Sequence, residues 1–138
     1  RLDKDTEGLL ILTDDGILAH KLLSPKYKVP KTYYAVIAGK VTDRDIILFQ
    51  KGIPIGDNFV TLPAELSILE SSDNSKVYIT IHEGKFHQIK RMFETVGKKV
   101  LYLKRISIGN LKLDKNLALG QVRELREEEI ELLKKSVQ

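Results

Sequence analysis

The 138-residue sequence contains no cysteine and no long hydrophobic run. The absence of cysteine excludes disulfides, thiolate nucleophiles and cysteine-ligated zinc, and it is typical of proteins in a reducing cytosol. The longest apolar runs, such as residues 9–12, are far shorter than the roughly 20 residues that span a bilayer, and no signal-peptide pattern is visible. The three histidines lack the spacing of metal ligands. We therefore expect a cytoplasmic protein without a metal site or a membrane partner.

The sequence does contain an ordinary share of apolar residues and a small excess of positive charge. Its hydrophobic fraction is 42%, its net charge is +4 and its pI is about 9.2. A chain of this length forms one domain and buries about 68–70% of its unfolded surface. The basic excess suits a polyanionic partner such as RNA, although many proteins that bind no polyanion are equally basic.

Segments with the pattern of β-strands outnumber those with the pattern of helices. Alternating or β-branched residues predict strands over 7–13, 31–38, 64–69, 77–82, 100–108 and 121–125. Helical spacing and capping residues predict helices over 17–23, 43–51, 87–96 and 126–136. Because strands and helices do not alternate regularly, we predict an α+β fold with a mixed, mostly antiparallel sheet flanked by helices.

The first sixteen residues hold five acids, with a glycine and an apolar run between them. Counted from Asp3, the acids resemble the spacing of an EF-hand calcium loop, with Asp14 at the twelfth position. An EF-hand needs a helix on each side, whereas residues 9–13 have the pattern of a strand, so we expect no calcium site. A catalytic carboxylate and a solvated turn remain as the alternatives for Asp3.

A second polar stretch, residues 83–92, combines a glycine turn with the start of a predicted helix. His87 and Gln88 open this helix, and Lys90 and Arg91 occupy its exposed positions. A helix start with nearby cations suits an anion such as phosphate. The alternative is a solvated helix face beside a capped terminus.

Taken together, these stretches resemble the pseudouridine synthases. Residues 1–10, Arg-Leu-Asp-x-x-Thr-x-Gly-Leu-Leu, resemble the catalytic-aspartate motif of that family. Lys31-Thr32-Tyr33 resembles its second motif, and residues 84–92, Gly-Lys-x-His-Gln-x-x-Arg-Met, resemble its third. The motifs occur in family order across essentially the whole chain. Ser24-Pro25, residues 85–88 and Pro63-Ala64 favour the RsuA-type branch, which acts on small-subunit ribosomal RNA.

The resemblance implies an isomerase that detaches the uracil base from its ribose, turns it and rejoins it through carbon, with no cofactor. Asp3 is then the essential carboxylate, acting as a nucleophile or as a base. Lys85 is the cation that keeps Asp3 charged and oriented, and Tyr33 stacks on the target base. Arg1 fills the gap that the flipped uridine leaves.

The resemblance also implies residues around these catalytic groups. Leu103 is expected to form a wall of the pocket, and the pair His87-Gln88 is expected to order the loop more than to take part in chemistry. His87 and Gln88 are also expected to contact RNA. The further candidates for contact with RNA are the basic residues Lys26, Lys28, Lys31, Lys90, Arg91, Lys98, Lys99, Lys104 and Arg105.

The sequence starts at Arg1, inside the first motif. We therefore expect residues 1–138 to be an N-terminally truncated catalytic domain, without the upstream RNA-binding domain and first catalytic strands of the RsuA type. The expected partner is ribosomal RNA and the expected state is a monomer. Three alternatives stay open: a synthase acting on large-subunit RNA, an RNA-binding fragment without catalysis, and a hydrolase that uses Asp3 and Asp5 as an acid–base pair.

Overall fold

The computed structural model describes residues 1–56 and 58–138. The elements, in chain order, are β1 (Glu7–Gly8), α1 (Gly16–Leu23), β2 (Lys31–Ala38), α2 (Asp43–Lys51), β3 (Glu65–Glu70), β4 (Asn74–Ile81), α3 (Gln88–Thr95), β5 (Lys99–Ile108), β6 (Leu111–Lys112) and α4 (Glu127–Lys135).

The strands form one sheet in the order β1-β5-β2-β4-β3, and β6 pairs with β5. The short β1 runs parallel to β5, whereas the other pairs are antiparallel. This arrangement confirms the predicted α+β fold with a mixed, mostly antiparallel sheet. β2 and β5 lie side by side at the centre of the sheet, so residues from the first motif, the second motif and the long strand meet there.

The core lies between one face of the sheet and helices α2 and α3. Residues 31, 33, 35 and 37 of β2 are buried and alternate with half-buried neighbours, as a strand covered on one face requires. Phe49 of α2 and Phe93 of α3 pack on this face with ring centroids 4.9 Å apart. Full burial of each ring contributes about 1.5–3 kcal/mol. α3, which carries residues of the third motif, is therefore fixed against the sheet.

Two predicted strands are wrong. Only residues 7 and 8 of the segment 7–13 pair in the sheet, and residues 121–125 pair with no strand among the described residues. Both segments line an apolar cavity of about 860 Å³, together with part of α4. An alternating apolar pattern predicts an extended backbone, but pairing also needs a free neighbouring edge, which the local sequence does not encode.

Three charged side chains hold the segment before α4 in place. The Arg123 guanidinium donates two hydrogen bonds of 2.8 Å to the Glu129 carboxylate and a third of 2.8 Å to Asp114. The hydrogen bonds from Arg123, followed by one from the backbone N–H of Arg126, lower the pKa of Glu129 from 4.5 to about 2. Paired donors in this fork geometry are the stronger kind of ionic hydrogen bond.

None of the helices within residues 1–56 and 58–138 has the length and apolar content to cross a membrane.

We predict that Glu129→Gln weakens the dependence of stability on pH. A carboxyl whose pKa is lowered by folding stabilises the protein above its unfolded pKa, near 4.5, and loses that contribution as the pH falls towards 2. In urea denaturation between pH 7 and pH 2, the free energy of unfolding of the wild type should fall more steeply below pH 4.5 than that of the variant. Glu131→Gln, at an exposed position of α4, is the control and should keep the wild-type slope. Equal slopes for wild type and Glu129→Gln would contradict the assignment.

Candidate active site around Asp3

Asp3 lies on a turn that is attached to the sheet within a few residues. The Thr6 N–H donates to the Asp3 carbonyl at 3.0 Å and closes the turn. β1 then pairs with residues 104 and 105 of β5, and the Leu9 N–H donates to the Arg105 carbonyl at 2.8 Å. The carboxylate of Asp3 is therefore carried on a short loop whose outgoing end is part of the sheet.

Arg105 holds the same loop with its side chain. Its Nε donates to the Leu9 carbonyl at 2.8 Å, and its NH1 donates to the Arg1 carbonyl at 3.2 Å. Arg105 is only 5% exposed. Its position corrects its expected role, because a guanidinium buried under the loop serves the loop and is not available to a phosphate of RNA. The side chain is inside because position 105 follows Leu103 by two residues and lies on the same, buried face of β5.

Gly8 allows the loop to approach Arg105 closely. Its φ is +108°, a conformation that L side chains rarely adopt, and a Cβ at this position would overlap the backbone carbonyl of Arg105. Glycine is thus required on both counts.

Tyr33 of β2 lies beside Arg105 of β5 in the sheet register. The phenol is buried, and burial raises its pKa above the ordinary value of 10, while the neighbouring Arg105 guanidinium acts in the opposite direction and the Asp3 carboxylate adds a smaller increase. Tyr33 is consequently a neutral phenol at physiological pH, within the electrostatic reach of Asp3. The structure brings the first two motifs together on β5, because β1 and β2 both pair with that strand.

Lys90, in the first turn of α3, supplies the cation at Asp3. Its Nζ lies 3.9 Å from Oδ2 of Asp3 and 2.5 Å from Oδ1 of Asp5. The hydrogen bond from Lys90 is the largest cause of a lowered pKa of Asp5. One ammonium group therefore bridges the two carboxylates of the first motif.

Lys85, the cation expected from the resemblance, makes no ion pair with Asp3 among the described residues. The Lys85 Nζ lies 4.6 Å from the centroid of the Phe59 ring. Within the described part of the chain, the ion pair of Asp3 is made by Lys90. The reason is the left-handed conformation of His87, with φ 49° and ψ 38°, which redirects the chain between the two lysines.

A buried polar network fixes the loop that precedes α3. The Glu83 carboxylate accepts the Leu62 N–H at 2.7 Å and the Gln88 side-chain amide at 3.1 Å. The amide oxygen of Gln88 in turn accepts the Lys85 N–H at 3.1 Å. Gln88 is 3% exposed, so it orders the loop, as expected, and lies too deep for a direct contact with RNA.

The remaining predicted residues are divided between the interior and the surface. Leu103 is buried in the core cluster that contains Tyr33, and its role as a wall of the pocket stays a prediction. Lys31 is also buried, and burial is the main cause of its lowered pKa. Lys98 pairs with Asp45 at 3.3 Å. The candidates that keep exposed or half-buried side chains are Arg1, Lys26, Lys28, His87, Lys90, Arg91, Lys99 and Lys104.

Two alternative uses of the acidic cluster do not suit this geometry. No group of three or more potential ligand side chains that could hold a metal occurs among the described residues. An acid–base pair of Asp3 and Asp5 needs one carboxyl with a raised pKa, whereas Lys90 lowers the pKa of Asp5. Asp5 is therefore a partner of Lys90 and is unsuited to act as a general acid.

Comparisons with known proteins show the family to which the chain belongs. Residues 1–95 match the family model described as RNA pseudouridylate synthase. The chain is 51% identical over 134 residues to an uncharacterized RNA pseudouridine synthase of Bacillus subtilis, YtzG, covering 96% of this chain and 56% of that protein. It is 45% identical over 131 residues to ribosomal small subunit pseudouridine synthase A of Vibrio cholerae, covering 94% and 55%.

A solved structure is also similar to this chain. A crystal structure of a pseudouridylate synthase superimposes with a TM-score of 0.91 at 42% identity, covering 96% of this chain and 56% of that one. The chain belongs to the RNA pseudouridylate synthase family and resembles its RsuA-type members. It spans about half the length of the curated relatives that it matches.

We predict that Gly8→Ala destabilises the protein by about 1–3 kcal/mol, because the strained backbone and the overlap with the Arg105 carbonyl force β1 away from β5. Gly16→Ala is the matched control, since a Cβ there meets no atom within 4 Å and Gly16 begins α1. It should be neutral or stabilising by up to about 1 kcal/mol. Urea denaturation measures both. Equal stability of the two variants would contradict the close approach described here.

Proposed function

We propose that this protein converts a specific uridine of ribosomal RNA into pseudouridine. The observation that carries the proposal is the convergence of Asp3, Tyr33 and Lys90 from three separate elements, in a chain that belongs to the pseudouridylate synthase family. The same geometry argues against a degenerate RNA-binding module, because such a module has no need of a carboxylate held beside a cation and a neutral phenol.

The proposed reaction is an isomerisation in which atoms and charges balance. The bond between N1 of uracil and C1′ of ribose breaks, and a bond between C5 and C1′ forms. The proton on C5 leaves to solvent, and N1 gains a proton. No oxidant, reductant or cofactor is required.

Each of the three residues has a role in this proposal. Asp3 acts on the ribose as a nucleophile or as a base, and both roles need a carboxylate held against the sugar. Lys90 replaces Lys85 as the group that orients Asp3, since its Nζ lies 3.9 Å from that carboxylate. Tyr33 presents a neutral phenol ring on which the target base stacks, and Leu103 closes the pocket behind it.

We infer that the substrate is small-subunit ribosomal RNA. Relatives at 42–45% identity from three Vibrio species carry the name ribosomal small subunit pseudouridine synthase A, and this name favours the small subunit over the large-subunit alternative. We further propose that the protein acts as a cytoplasmic monomer. Cations with exposed or half-buried side chains are then the candidates for positioning the RNA backbone: Arg1, Lys26, Lys28, Arg91, Lys99 and Lys104.

We predict that Asp3→Asn abolishes pseudouridine formation while RNA affinity does not fall. Asparagine keeps the shape of the side chain but can act neither as nucleophile nor as base, so the rate should drop by at least about 10³-fold. The assay uses a small-subunit ribosomal RNA transcript and a protein of the relatives' full length that carries this chain. Tritium release from C5 of uridine, or carbodiimide modification, detects the product, because pseudouridine and uridine have equal mass.

Asp14→Asn is the control for this prediction. Asp14 belongs to the same acidic stretch and is exposed, so its replacement should leave the rate within about twofold. Product formation by Asp3→Asn at the wild-type rate would refute the proposed mechanism.

A further inference from the structure

Phe86 is exposed although it is a large apolar residue. Its side chain is 75% accessible to solvent. A single exposed apolar residue is common on protein surfaces and needs no explanation by itself. Phe86 differs in its partner: its ring stacks on the imidazole of His87, with centroids 3.8 Å apart and planes inclined by 20°. The two rings form a flat aromatic pair, and the high exposure of Phe86 leaves most of that ring open to solvent.

The backbone under this pair is held in place. The Arg91 guanidinium donates a hydrogen bond to the Phe86 carbonyl at 3.0 Å. The residue before Phe86, Lys85, donates its backbone N–H to the Gln88 side chain, which is itself bound to Glu83. His87 adopts a left-handed conformation, with φ 49°, which is strained for a residue other than glycine. Strain of this kind persists where the surrounding contacts over-determine it, and it concentrates at functional sites.

The pair also lies directly beside the proposed active site. His87 precedes α3, and Lys90, one turn further along, reaches Asp3. Lys85 on the preceding side is exposed. Phe86 thus lies between two cationic residues, Lys85 and Lys90, in the sequence. An exposed aromatic ring in a segment with cations suits single-stranded RNA, a polyanion whose units carry flat rings.

We propose that Phe86 and His87 form a stacking platform for an unpaired nucleobase that neighbours the target uridine. The proposal rests on the proposed function, because it takes RNA as the substrate. It adds a specific contact, since Tyr33 holds the target base inside the pocket whereas Phe86 holds another base outside it. Stacking of this type is insensitive to which base is present, so the platform contributes affinity and orientation and leaves the choice of sequence to other contacts.

The test compares Phe86→Ala, Phe86→Trp and Leu119→Ala. Leu119 is a control matched in exposure, since it is 76% exposed and lies in the loop before α4, outside the segment 83–92. Binding of a short single-stranded oligouridylate is measured by fluorescence anisotropy, next to an abasic oligomer of the same length. Because one stacked base is worth a factor of about 5 to 150 in affinity, Phe86→Ala should raise Kd for oligouridylate by that factor.

Three further results are expected. Phe86→Trp should retain wild-type affinity, Leu119→Ala should change nothing, and all variants should bind the abasic oligomer equally. Equal affinity of wild type and Phe86→Ala for oligouridylate would overturn the platform, as would an equal loss of affinity for the abasic oligomer.

The product assay separates this inference from the proposed function. If wild type forms pseudouridine and Phe86→Ala binds oligouridylate normally, the platform is wrong and the function stands. If the wild type binds oligouridylate through Phe86 but forms no pseudouridine, the platform stands and the function is wrong.

Discussion

The position of the proposed catalytic carboxylate depends on the contact between Arg105 and the loop that carries Asp3. The Arg105 guanidinium donates hydrogen bonds to the carbonyls of Leu9 and Arg1, and the Arg105 backbone carbonyl accepts the Leu9 N–H. A buried cation with this many partners is costly to disturb, because each separated partner is left without a hydrogen bond. Gly8 completes the contact by letting the two backbones meet. Strand β5 thus holds the Asp3 loop through both the backbone and the side chain of Arg105.

The rest of the site is assembled against this anchored loop. Tyr33 comes from the strand next to Arg105, and Lys90 comes from a helix that is packed on the sheet through Phe93. The buried pair of Glu83 and Gln88 sets the loop at the start of that helix. Each of the three proposed catalytic groups therefore stands on an element with its own core contacts, which is the arrangement that holds reacting groups in fixed geometry.

The local sequence predicted most of the helices and strands, but not the strand pairing of residues 9–13 and 121–125 and not the partners of individual charges. The strand over residues 31–38 and the helix near residues 88–95 follow from periodicity, and the motifs selected Asp3 and Tyr33 as candidates. The choice between Lys85 and Lys90 could not be made from sequence, because it depends on the backbone turn at His87. The burial of Arg105 could have been predicted, since it lies two residues after Leu103 on an alternating strand.

The most direct test of this account asks which lysine serves Asp3. Lys90→Met and Lys85→Met remove the same charge from two positions five residues apart, and single-turnover formation of pseudouridine measures the chemical step for each. Because Lys90 orients the carboxylate and a misplacement of about 1 Å costs about 100-fold in rate, Lys90→Met should slow this step by about 100-fold or more. Lys85→Met should change it by no more than about threefold, the range of an ordinary surface substitution. A large loss with Lys85→Met and a small one with Lys90→Met would contradict the account.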